Sequence, residues 1–153
     1  MINAFINAKK SGYTPNLVIV GNAENFRTSD NSVFSLIESA PKGSIEFTGR
    51  ISDKELKELY KTSKLLVQPS FYEGFGMPPL EAMSLGTDVL ISDIPVFKEI
   101  YKDFPVYFFK TGDALDLAQK LLQIEKIPAK KFDFPKIYSF EKTFNIIQNT
   151  LEI

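Results

Sequence analysis

KLLVQPSFYEGFGMPPLEAMSLGTDVLIS, residues 64–92, is the stretch that decides the fold. Lys64 to Gln68 is a short apolar run of the length of a buried strand, and Asp88 to Ser92 is another. Between them Pro78 and Pro79 suit the opening turn of a helix, where a missing N–H costs nothing and the fixed φ of proline is already helical. The helix is expected from about Pro78 to Leu85, with Gly86 as its C-terminal stop. Strand, helix and strand in succession imply parallel pairing through a crossover.

The same alternation extends in both directions. Upstream, Ile2 to Lys10 carries Ile2, Phe5 and Ile6 at helical spacing before Ser11, Gly12 and Pro15 break it, and NLVIVG (16–21) reads as a strand ending on glycine. A helical pattern over Ser29 to Ala40 and a strand over Ser44 to Thr48 follow. Ser52 with Glu55 forms a capping-box signature ahead of Leu56, Leu59 and Tyr60. Downstream, a short helix is expected over Val96 to Tyr101, a strand over Val106 to Phe109, and a helix from Asp113 bearing Leu115, Leu117, Ala118, Leu121, Leu122 and Ile124. Pro128 and Pro135 punctuate a Lys-rich connection to a last helix from about Ser139, with Phe140, Phe144, Ile147 and Leu151 on one face. These elements predict an α/β fold, a Rossmann-like parallel sheet with helices on both faces, in a single domain over 1–153.

A chain of 153 residues can bury roughly two thirds of its unfolded surface. With 18 basic and 19 acidic residues the net charge is -1, which gives no overall attraction for nucleic acid or an anionic membrane. The sequence has no Cys and no His, so Ser-His-Asp and Cys-His hydrolases are excluded, along with disulfide and thiol chemistry. No apolar run reaches the ~20 residues of a membrane span. A cytoplasmic chain is expected, at most peripheral at the inner face of a membrane.

Ligands of open parallel sheets bind at the carboxyl ends of the strands, which is where PSFYEGFGMPP lies. Gly74 and Gly76 permit positive φ and let a ligand approach the backbone N–H groups. The helix start adds its positive dipole end, so an anion can be held there with little help from Lys or Arg. Glu73 and Glu81, as E-x7-E, add two acceptors for hydroxyl groups. By itself that spacing is a weak signal, since chance supplies it in many helical proteins.

As a whole, PSFYEGFGMPPLEAMSLG (69–86) resembles the nucleotide-sugar-binding signature of the GT-B family 4, or group 1, retaining glycosyltransferases. NLVIVG, IEFTGRISDKELKELYKTSKLLVQPS, DVLISDIPVFKEI, DFPVYFF and YSFEKT are similar to successive pieces of the same C-terminal domain. The resemblance implies that Glu73 lies at the donor sugar near the anomeric carbon and that Glu81 takes the ribose hydroxyls. It places the amides of Gly74, Phe75, Gly76 and Met77 on sugar hydroxyls and phosphates, Gly49 and Arg50 beside the base, and Gly21 with Asn22 at the cleft edge. It also implies a nucleotide-diphosphate sugar as co-substrate, no metal or other cofactor, and transfer with retention to a glycan or lipid acceptor. Support of oxocarbenium-like charge is the role expected of Glu73.

A complete enzyme of that family has a second, N-terminal domain that binds the acceptor, and its C-terminal domain opens with a strand, a Gly-Arg turn and a Lys. The resemblance begins after these, at the helix of residues 1–12. The expectation is therefore a donor-binding half lacking the acceptor domain and the first strand, not competent alone, and partnered by a chain bearing the N-terminal domain or by a second copy. The alternative is a non-catalytic nucleotide-sugar-binding or interaction module. A nicotinamide-dependent dehydrogenase is disfavoured because NLVIVG continues as NAENF, without G-x-G-x-x-G.

Overall fold

The computed structural model describes residues 1–22 and 32–128. The helix expected from Ser139, the lysines at 130, 131 and 136, and the start of the helix expected at Ser29 lie outside these residues. Within them the order is α1 (Ile2–Lys10), β1 (Leu17–Ile19), α2 (Ser32–Ser39), β2 (Ile45–Phe47), α3 (Asp53–Thr62), β3 (Leu65–Gln68), α4 (Met77–Ser84), β4 (Asp88–Ser92), α5 (Pro95–Ile100), β5 (Tyr107–Phe109) and α6 (Ala114–Glu125). All strand pairs are parallel, so the expected α/β fold is present.

The strands form two ladders instead of one continuous sheet. β1 pairs with β2, with Leu17 opposite Ile45, and β4 lies between β3 and β5, with Val67 opposite Leu90 and Ile91 opposite Phe108. Among the described residues β1 pairs with β2 alone and β3 with β4 alone.

β4 shows why the larger ladder is stable. Val89 and Ile91 point into one cluster with Tyr60, Leu80, Met83, Phe97, Tyr101 and Phe104, from α3, α4, α5 and the residues after α5. Leu90 points the other way, toward Ala4 and Ala8 of α1, Phe109 of β5, and Leu117, Leu121 and Ile124 of α6. This period-2 alternation gives each face its own core. Full burial of each such side chain contributes roughly 1.5–3 kcal/mol. Leu65, Leu66 and Val67 of β3 pack against the same two clusters but stay half-buried, because the edge of β3 away from β4 is unpaired.

The helix ends follow their sequence signals. Ser52 Oγ accepts from the Glu55 N–H, and the Glu55 carboxylate accepts from the Ser52 N–H at 2.7 Å, which completes the capping box. Asp113 Oδ1 accepts from the N–H groups of Leu115 and Asp116, both at 3.0 Å. In α4, Met77 takes the first helical position and Pro78 and Pro79 the next two, one residue earlier than expected.

Candidate functional site

The segment from Pro69 to Gly76 leaves the carboxyl end of β3 and enters α4, and the scaffold fixes it at both ends. At its start, the Ser92 hydroxyl, from the last residue of β4, donates to the Ser70 carbonyl at 2.5 Å. At its end, the Tyr101 hydroxyl donates to the Gly76 carbonyl at 2.5 Å, while the Tyr101 ring is wholly buried in the core. Only Gly76 of the two loop glycines uses positive φ, at 80°. It is also the closest approach of backbone to core, since a Cβ there would stand 2.4 Å from Phe97 Cε1. Gly74 has ordinary φ and open space around it, so the latitude expected of it is not used.

Glu73 is held by two neutral side chains. Ser70 Oγ donates to Glu73 Oε1 at 2.8 Å, and Gln68 Nε2 donates to the same oxygen at 3.0 Å and to Ser70 Oγ at 3.1 Å. The aromatic residues beside it face solvent, Phe71 at 78% and Tyr72 at 89% exposure, and the edge of the Phe71 ring lies over Gly112. Phe75 is exposed as well.

The helix start offers fewer donors than an ordinary one. Of its first three residues only Met77 carries an N–H, because Pro78 and Pro79 have none. The N–H groups of Gly74, Gly76 and Met77 have no acceptor among the described residues. What remains for an anion is the helix dipole and these loop amides. Glu81 is exposed on α4 and lies beside the Tyr60 hydroxyl of α3, whose pKa is raised first by burial and then by the Glu81 carboxylate.

The other predicted residues gather at the ends of β1 and β2. Gly21 and Gly49 exchange N–H···O bonds of 3.1 Å in both directions, as an isolated antiparallel bridge. Gly49 has φ 68°, and a Cβ on it would stand 2.9 Å from Asn22 Oδ1. Arg50, the next residue, is exposed. Gly21, Asn22, Gly49 and Arg50 thus form one group at one carboxyl edge, and Glu73 to Met77 form another at the end of β3.

Gln68, Ser70, Ser92, Tyr101 and Asp93 carry the loop or its surroundings and were not singled out in the sequence. A polar residue closing the apolar run KLLVQ was the available signal for Gln68. Asp93 follows β4 and accepts from the Thr111 N–H at 2.9 Å, the Thr111 hydroxyl at 2.8 Å and Lys98 Nζ at 3.0 Å, tying the ends of β4 and β5 together. These bonds, the backbone one first, lower its pKa to about 2. The folded pKa lies below the unfolded value of about 3.9, so the contribution to stability is present above that value and is lost as pH falls through about 2. Thermal melts from pH 6 to pH 2 should show Asp93→Asn less stable than the parent at pH 6 and the gap closing below about pH 4. A gap independent of pH removes this role.

The family model for Glycosyl transferases group 1 matches residues 1–136. The chain is 32% identical over 154 residues to the O-antigen chain mannosyltransferase RfbU of Salmonella typhimurium strain LT2, covering 98% of this chain and 43% of that protein. To the O-antigen chain mannosyltransferase B of Escherichia coli it is 40% identical over 75 residues, 48% of this chain and 20% of that one. Among solved structures, sucrose-phosphate synthase from Thermosynechococcus elongatus superposes with a TM-score of 0.76 at 22% identity, over 98% of this chain and 42% of the other. Anabaena Alr3699/HepE, in complex with UDP-glucose, gives 0.66 at 19% identity, over 82% and 35%. The chain spans less than half the length of each of these proteins.

Proposed function

Since the chain belongs to the group 1 glycosyltransferase family, we propose that it binds a nucleotide-diphosphate sugar and supplies the donor side of glycosyl transfer. The observation that carries this reading is the loop after β3, where an anchored carboxylate, unused backbone N–H groups and a helix start adjoin one another. The diphosphate lies against the amides of Gly74, Phe75, Gly76 and Met77 and the dipole of α4. Glu73 faces the sugar and supports positive charge developing at the anomeric carbon, and Glu81 accepts from the ribose hydroxyls. Gly21, Gly49 and Arg50 border the base. Transfer proceeds with retention to a glycan or lipid acceptor and uses no metal. The mannosyltransferases among the relatives favour an activated mannose as donor.

Calorimetric titration with GDP-mannose and UDP-glucose, repeated in excess EDTA, tests the reading. Binding of at least one, unchanged by EDTA, is expected; failure of both to bind removes the donor site. Glu81→Ala should weaken the binding about tenfold, the loss of roughly 1.5 kcal/mol from a charge-assisted hydrogen bond. Unchanged affinity assigns the ribose elsewhere.

A further inference from the structure

We propose that Gln68 and Ser70 are positioning residues that hold the Glu73 side chain, without a counter-charge beside it, turned toward the sugar of the donor. The inference rests on the donor-site reading and adds to it how the glutamate is presented.

The three groups form a closed triangle: Gln68 Nε2 donates to Ser70 Oγ at 3.1 Å and to Glu73 Oε1 at 3.0 Å, and the Ser70 hydroxyl donates to the same Oε1 at 2.8 Å. Both bonds fall on one oxygen, and Oε2 has no hydrogen-bond partner among the described residues. The ring is rooted in the scaffold, because Gln68 is the last residue of β3 and the Ser70 carbonyl accepts from Ser92, buried in β4. Side-chain rotation of Glu73 therefore breaks two bonds.

The chemical class of the donors matters more than their number. An amide and a hydroxyl orient a carboxylate without cancelling its charge, whereas a Lys or Arg at the same distance would neutralise it. Among the described residues no ion pair includes Glu73. The full negative charge is left for a sugar hydroxyl in the ground state and for cationic character at the anomeric carbon later, the arrangement that makes a fixed charge effective in a transition state. Gln68 and Ser70 touch neither atom and act through Glu73.

Two measurements decide the matter. In nitrogen-edited NMR spectra of the unliganded chain, the Gln68 side-chain amide pair should stand apart from those of the other glutamines and move to join them in Glu73→Ala; signals that Glu73→Ala leaves in place overturn the proposal. In calorimetry, Gln68→Ala and Ser70→Ala should bind the nucleotide sugar about fivefold to tenfold more weakly while binding the matching nucleoside diphosphate as the parent does, and Ser70→Thr should restore sugar binding. Equal losses for both ligands indicate a merely structural role and also overturn it. If the parent chain binds neither GDP-mannose nor UDP-glucose, the donor-site reading fails, and the NMR result still decides whether the two residues hold Glu73.

Discussion

Gly76→Ala is expected to lower the stability of the folded chain by about 2–5 kcal/mol. Two independent costs add. The residue sits at φ 80°, ψ 71°, where an L side chain costs roughly 1–2 kcal/mol. The new Cβ would also lie 2.4 Å from Phe97 Cε1 and 3.1 Å from Cζ. A ring tip can often swing aside, but Phe97 is 0% exposed and meets Tyr101 edge-on at 5.7 Å between centroids, so accommodation disturbs the core at the overpacking cost of about 1–3 kcal/mol. Against a total of roughly 5–15 kcal/mol, the loss should show as a large fall in the urea midpoint. A change under about 0.5 kcal/mol would mean that the loop meets the core less closely than described.

Phe97→Ala is expected to cost about 3–5 kcal/mol, the range for emptying a buried phenylalanine site. The ring is wholly buried in the cluster it shares with Val89 and Ile91 of β4 and Leu80 and Met83 of α4. The two substitutions share a contact, so they should not add. In the Phe97→Ala background the clash disappears, and Gly76→Ala should then cost only its backbone share, about 1–2 kcal/mol. Chemical denaturation of the four chains gives this cycle directly. Strict additivity of the two losses would separate the Gly76 strain from the Phe97 ring.

The sequence made most of the fold legible because its signals were local. Asp88 to Ser92 is a strand over the residues expected, Ile2 to Lys10 a helix over those expected, and Ser52 and Asp113 cap the helices they were assigned to. Ends drifted where pairing, not composition, sets them. NLVIVG contributes only Leu17 to Ile19 to a ladder, because Gly21 turns away to bridge Gly49 in the antiparallel sense. The division of the sheet was only half legible. Alternation predicts parallel strands, but it does not say which edges meet, and β1 and β3 are not paired with each other.

At the candidate site, composition exposed the residues that face outward and concealed those that hold them. Glu73, Gly76 and the two prolines stand in a run unusual enough to notice. Gln68, Ser70 and Ser92 are ordinary polar residues at strand ends, and Tyr101 is one aromatic among many. The contacts of Ser92 and Tyr101 span 22 and 25 positions, which no short-range pattern encodes, and those of Gln68 and Ser70, though only 2 to 5 positions long, depend on how the loop after β3 folds back. Glu81 was legible as a carboxylate on α4, whereas its place beside Tyr60 required the packing of α3 on α4.

The division into two ladders also bears on how the molecule comes apart. No backbone bond joins β1 to β3 among the described residues, so each ladder can open to solvent without breaking a rung of the other. Amide protons of β4, sheltered on both sides, belong to the most protected class, while Val18 in β1 is 38% exposed and depends on β2 alone for its pairing. The edge bearing Gly21, Gly49 and Arg50 thus shares no strand pairing with the edge bearing Glu73 among the described residues, so the rungs of one can open while those of the other stay formed.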